Sequence, residues 1–92
     1  MFIVAHENIA LQRKVLEKLT KQRIIGAKHI QIDNLICGVP SHLRGKLREE
    51  IENLVCKDYI RWYNRSNGSL HLNIDKLQEI HEFLEQTRGA NP

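Results

Sequence analysis

The sequence predicts a mainly helical α+β domain: three helices, a two-stranded β-hairpin and a final helix. Three observations lead there. Leu43, Leu47, Ile51, Leu54 and Val55 recur at helical spacing. After Asp58 the period falls to two, giving Tyr59-Ile60-Arg61-Trp62-Tyr63 and Leu70-His71-Leu72-Asn73-Ile74 as strands, with Asn67-Gly68 between them suited to a turn of positive φ. From Asp75 the helical period returns.

Taken in order, residues 1–6 read as a short strand or an arm packed on the domain. Asn8 caps a first helix running to about Ile25, whose apolar face is Ile9, Leu11, Val15, Leu16 and Leu19, and Gly26 ends it in a left-handed conformation. Lys28-His29-Ile30-Gln31 fits either a short strand or the approach to a second helix, which buries Ile32, Leu35 and Ile36. Gly38-Val39-Pro40 then breaks the helical pattern, because proline disfavours helical backbone in the residue before it. Ser41 caps the third helix. In the hairpin, Ile60, Trp62, Leu70, Leu72 and Ile74 point inward, and Trp62 reads as core rather than as a stacking surface. Asp75 caps the last helix with Gln78 reaching back in a capping box, and Leu77, Ile80 and Leu84 share a face with Phe83 and a half-buried His81 beside it. Residues 88–92 read as frayed.

A chain of 92 residues makes one domain that buries roughly 60–65% of its unfolded surface. Its 41% hydrophobic content and two prolines are those of a globular protein. No apolar run approaches the ~18 residues needed to span a bilayer, and Phe2-Ile3-Val4-Ala5 is too short for a signal-peptide core. These features predict a cytoplasmic protein without membrane association. Cys37 and Cys56 form no CxxC pair, so neither zinc nor a structural disulfide is expected. The five histidines are scattered without an HExxH pattern and no glycine-rich phosphate loop exists, so the expectation is a non-enzyme. No cofactor or small-molecule ligand follows from the sequence.

Charge points to the partner. The formal net charge is +3, yet residues 13–65 hold twelve Lys/Arg against six Asp/Glu, while residues 66–92 hold two against four. A cationic middle suits a polyanion; the alternative is a generic solvated surface.

Helix, helix, helix, two-stranded wing, helix is the order of the winged helix-turn-helix family of DNA-binding proteins, and residues 8–86 resemble it. Leu35-Ile36-Cys37-Gly38-Val39-Pro40-Ser41 resembles that family's passage from helix two through the turn to helix three. Leu54-Val55-Cys56-Lys57-Asp58-Tyr59-Ile60 resembles its passage from recognition helix into wing, written Leu-x-x-x-Gly-x-Ile, with Asp58 where glycine is usual; Asp visits the left-handed region more readily than most residues. Compact archaeal and bacterial transcriptional regulators are the nearest likeness. The resemblance implies one winged-helix domain: helix-turn-helix over about 29–57, wing over about 58–74 and C-terminal helix over about 75–87.

It also implies that the N-terminal part of helix 41–57 enters the major groove of double-stranded DNA. A helical wheel turns Leu43, Leu47, Ile51 and Leu54 inward and Ser41, His42, Gly45, Arg48, Glu49 and Glu52 outward, with Arg44 and Lys46 on the flanks. Arginine can donate two hydrogen bonds to guanine, and either cation can pair with phosphate. Gly45 lies among three cations: its bare backbone permits close approach to a partner, or it is a tolerated surface glycine. Glu49, Glu50 and Glu52 oppose deep insertion of the helix beyond its first two turns. Arg61, Arg65 and Asn67 on the wing are candidate DNA contacts, although Asn67-Gly68 is also plain turn chemistry, and Lys28 is a candidate phosphate contact. The apolar ends, Phe2–Val4 and Leu77–Leu84, suggest a homodimer. The alternative function is a protein-interaction module in a larger assembly.

Overall fold

The computed structural model describes residues 8–89. The expected arm over residues 1–6 and its Phe2–Val4 patch lie outside them. Among the described residues the fold is α+β: four α-helices and a three-stranded antiparallel sheet.

Helix α1 spans Ile9–Lys21. Asn8 caps it as expected, its side-chain oxygen accepting the Leu11 N–H at 3.1 Å. Leu11, Val15, Leu16 and Leu19 are buried. The helix stops four residues short of Ile25, and Gly26 does not end it. The reason lies on the wheel: continued helix would turn Gln22 and Arg23 inward and expose Ile24. Instead Arg23 takes φ 54°, its N–H bonds to the Thr20 carbonyl, the Ile24 N–H reaches back to Leu19 at 3.0 Å, and Ile24 is buried. This is a Schellman ending with arginine in glycine's usual place.

Residues Lys28–Gln31 resolve their ambiguity as both alternatives. Strand β1, Ile30–Gln31, leads without a loop into α2, Ile32–Ile36. Gly38, at φ 88°, turns the chain, and Val39 is buried beneath the turn. Helix α3 spans Ser41–Cys56 with Pro40 at the cap position, so Ser41 is its first helical residue and not its cap. The far end of α3 repeats the Schellman geometry: Asp58 sits at φ 66°, and the Asp58 and Tyr59 N–H groups bond to the Val55 and Leu54 carbonyls. The expected left-handed Asp58 is therefore observed.

Strands β2 (Ile60–Asn64) and β3 (Ser69–Leu72) form the hairpin, in register Ile60↔Leu72 and Trp62↔Leu70 with an irregularity between Trp62 and Asn64. The sheet order is β1-β3-β2, so the expected two-stranded hairpin is in fact the larger part of a three-stranded sheet. Strand β1 extends the sheet because Ile30 pairs with Leu70 and the Ile32 N–H reaches the Gly68 carbonyl at 2.8 Å. At the hairpin tip Gly68 has φ 71°, and a Cβ there would lie 3.1 Å from the Ile32 methyl Cγ2.

The chain leaves β3 at Leu72, two residues earlier than the alternation predicted. Ile74 begins a short 3₁₀ turn and is 63% exposed instead of inward-facing. Asn73, not Asp75, is the cap: its buried side chain accepts the Asp75 N–H at 3.1 Å and donates to the Asp58 carbonyl at 2.8 Å. Helix α4, Leu77–Gln86, follows with Ile80 buried, Leu77, Phe83 and Leu84 half-buried, and His81 exposed where half-burial was expected.

The core lies between α1, α3 and the inner sheet face, closed at one end by α4. Arg13 fastens α4 by donating to the Leu84 carbonyl at 2.9 Å. Both cysteines are free and exposed. Among the described residues, no helix is long and apolar enough to cross a membrane.

Candidate nucleic-acid interface

The first two turns of α3 are exposed along one side: Ser41, His42, Arg44, Gly45 and Arg48 all lie on the surface. The helical period makes Arg44 and Arg48 neighbours one turn apart. Both line a cleft of about 420 Å³ with Asp33, Ile36 and Cys37 of the α2 end. The turn at Gly38 creates this cleft by setting the end of α2 beside the start of α3.

The two arginines differ in freedom. Arg44 spends its Nε on the Val39 carbonyl at 3.1 Å, which fixes the stem and leaves its terminal amino groups without a partner among the described residues. The Arg48 guanidinium approaches the Asp33 carboxylate at 3.4 Å, with both groups at least half exposed. Such a pair is worth about 0–1 kcal/mol and yields readily to a competing anion. Lys46 is the weakest of the three cations as an anion ligand, because Glu49 at 3.6 Å and Glu50 at 3.8 Å hold its ammonium.

No internal contact explains Gly45. A Cβ built there meets nothing within 4 Å, so packing within the domain does not require glycine.

Glu50 departs from expectation most. It is fully buried, not part of the outward acidic face. Its carboxylate accepts from the Asn8 N–H at 2.9 Å, Gln12 Nε2 at 2.9 Å and Asn53 Nδ2 at 3.0 Å. Gln12, also buried, accepts in turn from Lys57 Nζ at 3.2 Å. Only Glu49 and Glu52 remain as exposed carboxylates on α3. The signal was present in the sequence, since residue 50 falls beside Ile51 within the 43-47-51-54 stripe.

The other candidates are dispersed. Arg61 on β2 is held by Asp58 in two contacts of 3.2 and 3.3 Å. The hydrogen bond and charge of Arg61 draw the Asp58 carboxyl below its ordinary value, and Asp58 reciprocally raises the guanidinium. Arg65 lies over the Trp62 ring, 5.3 Å from its centroid. The Asn67 side-chain oxygen is spent on the turn, accepting from the Ser69 N–H and hydroxyl. Lys28 donates to the Gln22 carbonyl at 3.2 Å in the loop before β1.

No family model, curated protein or solved structure matches the chain. The site therefore has to be read from its own geometry. That geometry unites Arg44, Gly45 and Arg48 on one helical face beside α2, and leaves Arg61, Arg65 and Lys28 on separate elements. Among the described residues, no group of His, Cys, Asp and Glu is placed to hold a metal.

Sequence reasoning missed the Asp33 partner of Arg48, which no spacing rule links to residue 48. It also missed a ring cluster on the outer sheet face formed by His29, Tyr63 and His71.

Proposed function

We propose that the domain is a winged helix-turn-helix that binds double-stranded DNA without catalysing a reaction, as a small intracellular transcriptional regulator. In this reading α3 enters the major groove with Arg44 and Arg48, and the hairpin over residues 60–72 is the wing, with Arg61 and Arg65 toward the backbone. The observation that carries it is the bare Gly45 backbone between two exposed arginines on the first turns of α3. Cationic donors reach base edges or phosphates, and the missing side chain permits close approach. Glu50 lies on the far side of α3 against α1, so the exposed carboxylates that a phosphate would meet on this helix are Glu49 and Glu52 alone.

Fluorescence anisotropy with a random duplex pool tests it. With ~5 phosphates neutralised, log affinity falls against log salt with a slope near −4 to −5. Arg48→Glu abolishes binding while the circular dichroism spectrum is kept, because the position is exposed. No duplex binding at low salt would favour the rival function, a protein-interaction module. The exposed Glu49 and Glu52 carboxylates on α3 favour that rival, because they repel phosphate. A homodimer belongs to the same proposal; sedimentation as a monomer at tens of micromolar removes it and the palindromic target it implies.

A further inference from the structure

The outer face of the sheet carries an aromatic cluster that α3 does not use. Because Ile60, Leu70 and Leu72 are buried in the core, strand alternation sends Arg61, Tyr63 and His71 to the opposite face. His29, from the loop before β1, stacks on Tyr63 with centroids 4.0 Å apart and planes 13° from parallel. His71 meets Tyr63 edge-on at 5.6 Å. Its Nδ1 lies 2.8 Å from the Gly26 carbonyl, which can only accept, so this nitrogen carries a proton and the ring is held in one orientation. Tyr63 is 48% exposed and His29 is exposed. The stack is therefore fixed from beneath and open to solvent.

The charge around it is mainly cationic, with Asp58 beside Arg61 as the exception. The loop from Gln22 to His29 carries Arg23 and Lys28 and no carboxylate. Arg61 pairs across the strands with His71, and its half-exposed Asp58 partner competes weakly for it. A flat ring stack with cations beside it matches the chemistry of an unpaired nucleotide: the base stacks on the rings while Lys and Arg follow the phosphates. Stacking on a ring face is tolerant of sequence, because every base has a π-face.

We propose that this face binds an unpaired nucleic-acid strand, with one base extending the His29–Tyr63 stack. The proposal stands apart from the α3 reading, because it uses different residues and a different form of nucleic acid.

Anisotropy of a short fluorescein-labelled oligothymidylate, with an abasic strand of the same length, tests it in the full chain. The expected result is binding of oligothymidylate with about tenfold weaker binding of the abasic strand, and a loss of about tenfold in Tyr63→Ala and in His29→Ala. Tyr63→Phe retains binding, because the ring and not the hydroxyl stacks. Arg48→Glu leaves strand binding unchanged, which separates this proposal from duplex recognition by α3. Equal affinity for the two strands, or unchanged affinity in both alanine variants, overturns the proposal. So does no binding at low salt, which leaves the face to a protein partner. Should Tyr63→Ala lose its fold by circular dichroism, His29→Ala decides, since its exposed loop position bears no core packing.

Discussion

Arg23 and Asp58 occupy the left-handed backbone that ends α1 and α3, where an L side chain costs roughly 1–2 kcal/mol. Arg23 has no ion-pair partner among the described residues, so Arg23→Gly isolates the strain. Urea denaturation should show it more stable by about 0.5–1 kcal/mol, part of the relief being offset by greater freedom of the unfolded chain. Asp58 differs because its carboxylate also binds Arg61. Since the folded carboxyl lies below its ordinary value near 3.8, the pair contributes stability that is complete above that value. That contribution disappears as pH falls through the depressed one. A side-chain NMR titration should place the Asp58 midpoint below 3.8, and Arg61→Ala should return it upward. The left-handed Asp58 was legible in the sequence through its place between Leu54 and Ile60. Arg23 was not legible, because the helical pattern around it offered Gly26 as a more obvious end.

Between elements, the decisive link is Glu50 of α3 with Asn8 and Gln12 of α1. Glu50→Ala strands a buried amide and the Asn8 N–H, and should cost about 3 kcal/mol in urea denaturation, with Glu50→Gln costing less because it keeps an acceptor. On the opposite side of α3, Gly45→Ala should add about 0.5–1 kcal/mol of stability, because the new methyl group enters open space. Measured together with duplex affinity, it separates the two meanings of this glycine: tighter folding with weaker binding marks close approach, and unchanged binding marks a tolerated position. Helix existence was legible from apolar periodicity in α1, α3 and α4. Boundaries were less so, because Asn73 and Pro40 set the starts of the last two helical segments through tertiary and turn geometry that Asp75 and Ser41 imitate in sequence. Strand β1 is two residues long and carries no period at all, so its pairing with β3 could emerge only from the folded chain.

Over the whole molecule, two of the cationic groupings are the α3 face with Arg44, Lys46 and Arg48 and the sheet side with Lys28 and Arg61, while α1 carries Arg13, Lys14, Lys18 and Lys21. Of the predicted sites, the placing of Ser41, His42, Arg44, Gly45, Lys46 and Arg48 together was legible because all six fall in one helix. The aromatic cluster joins residues 29, 63 and 71, whose proximity depends on the β1-β3-β2 order. The tip of the hairpin is clasped to the start of α2, by the Ile32 N–H on the Gly68 carbonyl and by the Ile32 methyl against the bare Gly68 α-carbon. A hairpin pinned at its tip cannot swing as a lever. Hairpin and helices therefore meet any partner as a single jaw, with little loop entropy left to lose on contact. Gly68→Ala both strains the backbone and wedges that clasp. It should speed hydrogen exchange at the Ile32 amide and slow association, while the buried amides of α1 keep their protection.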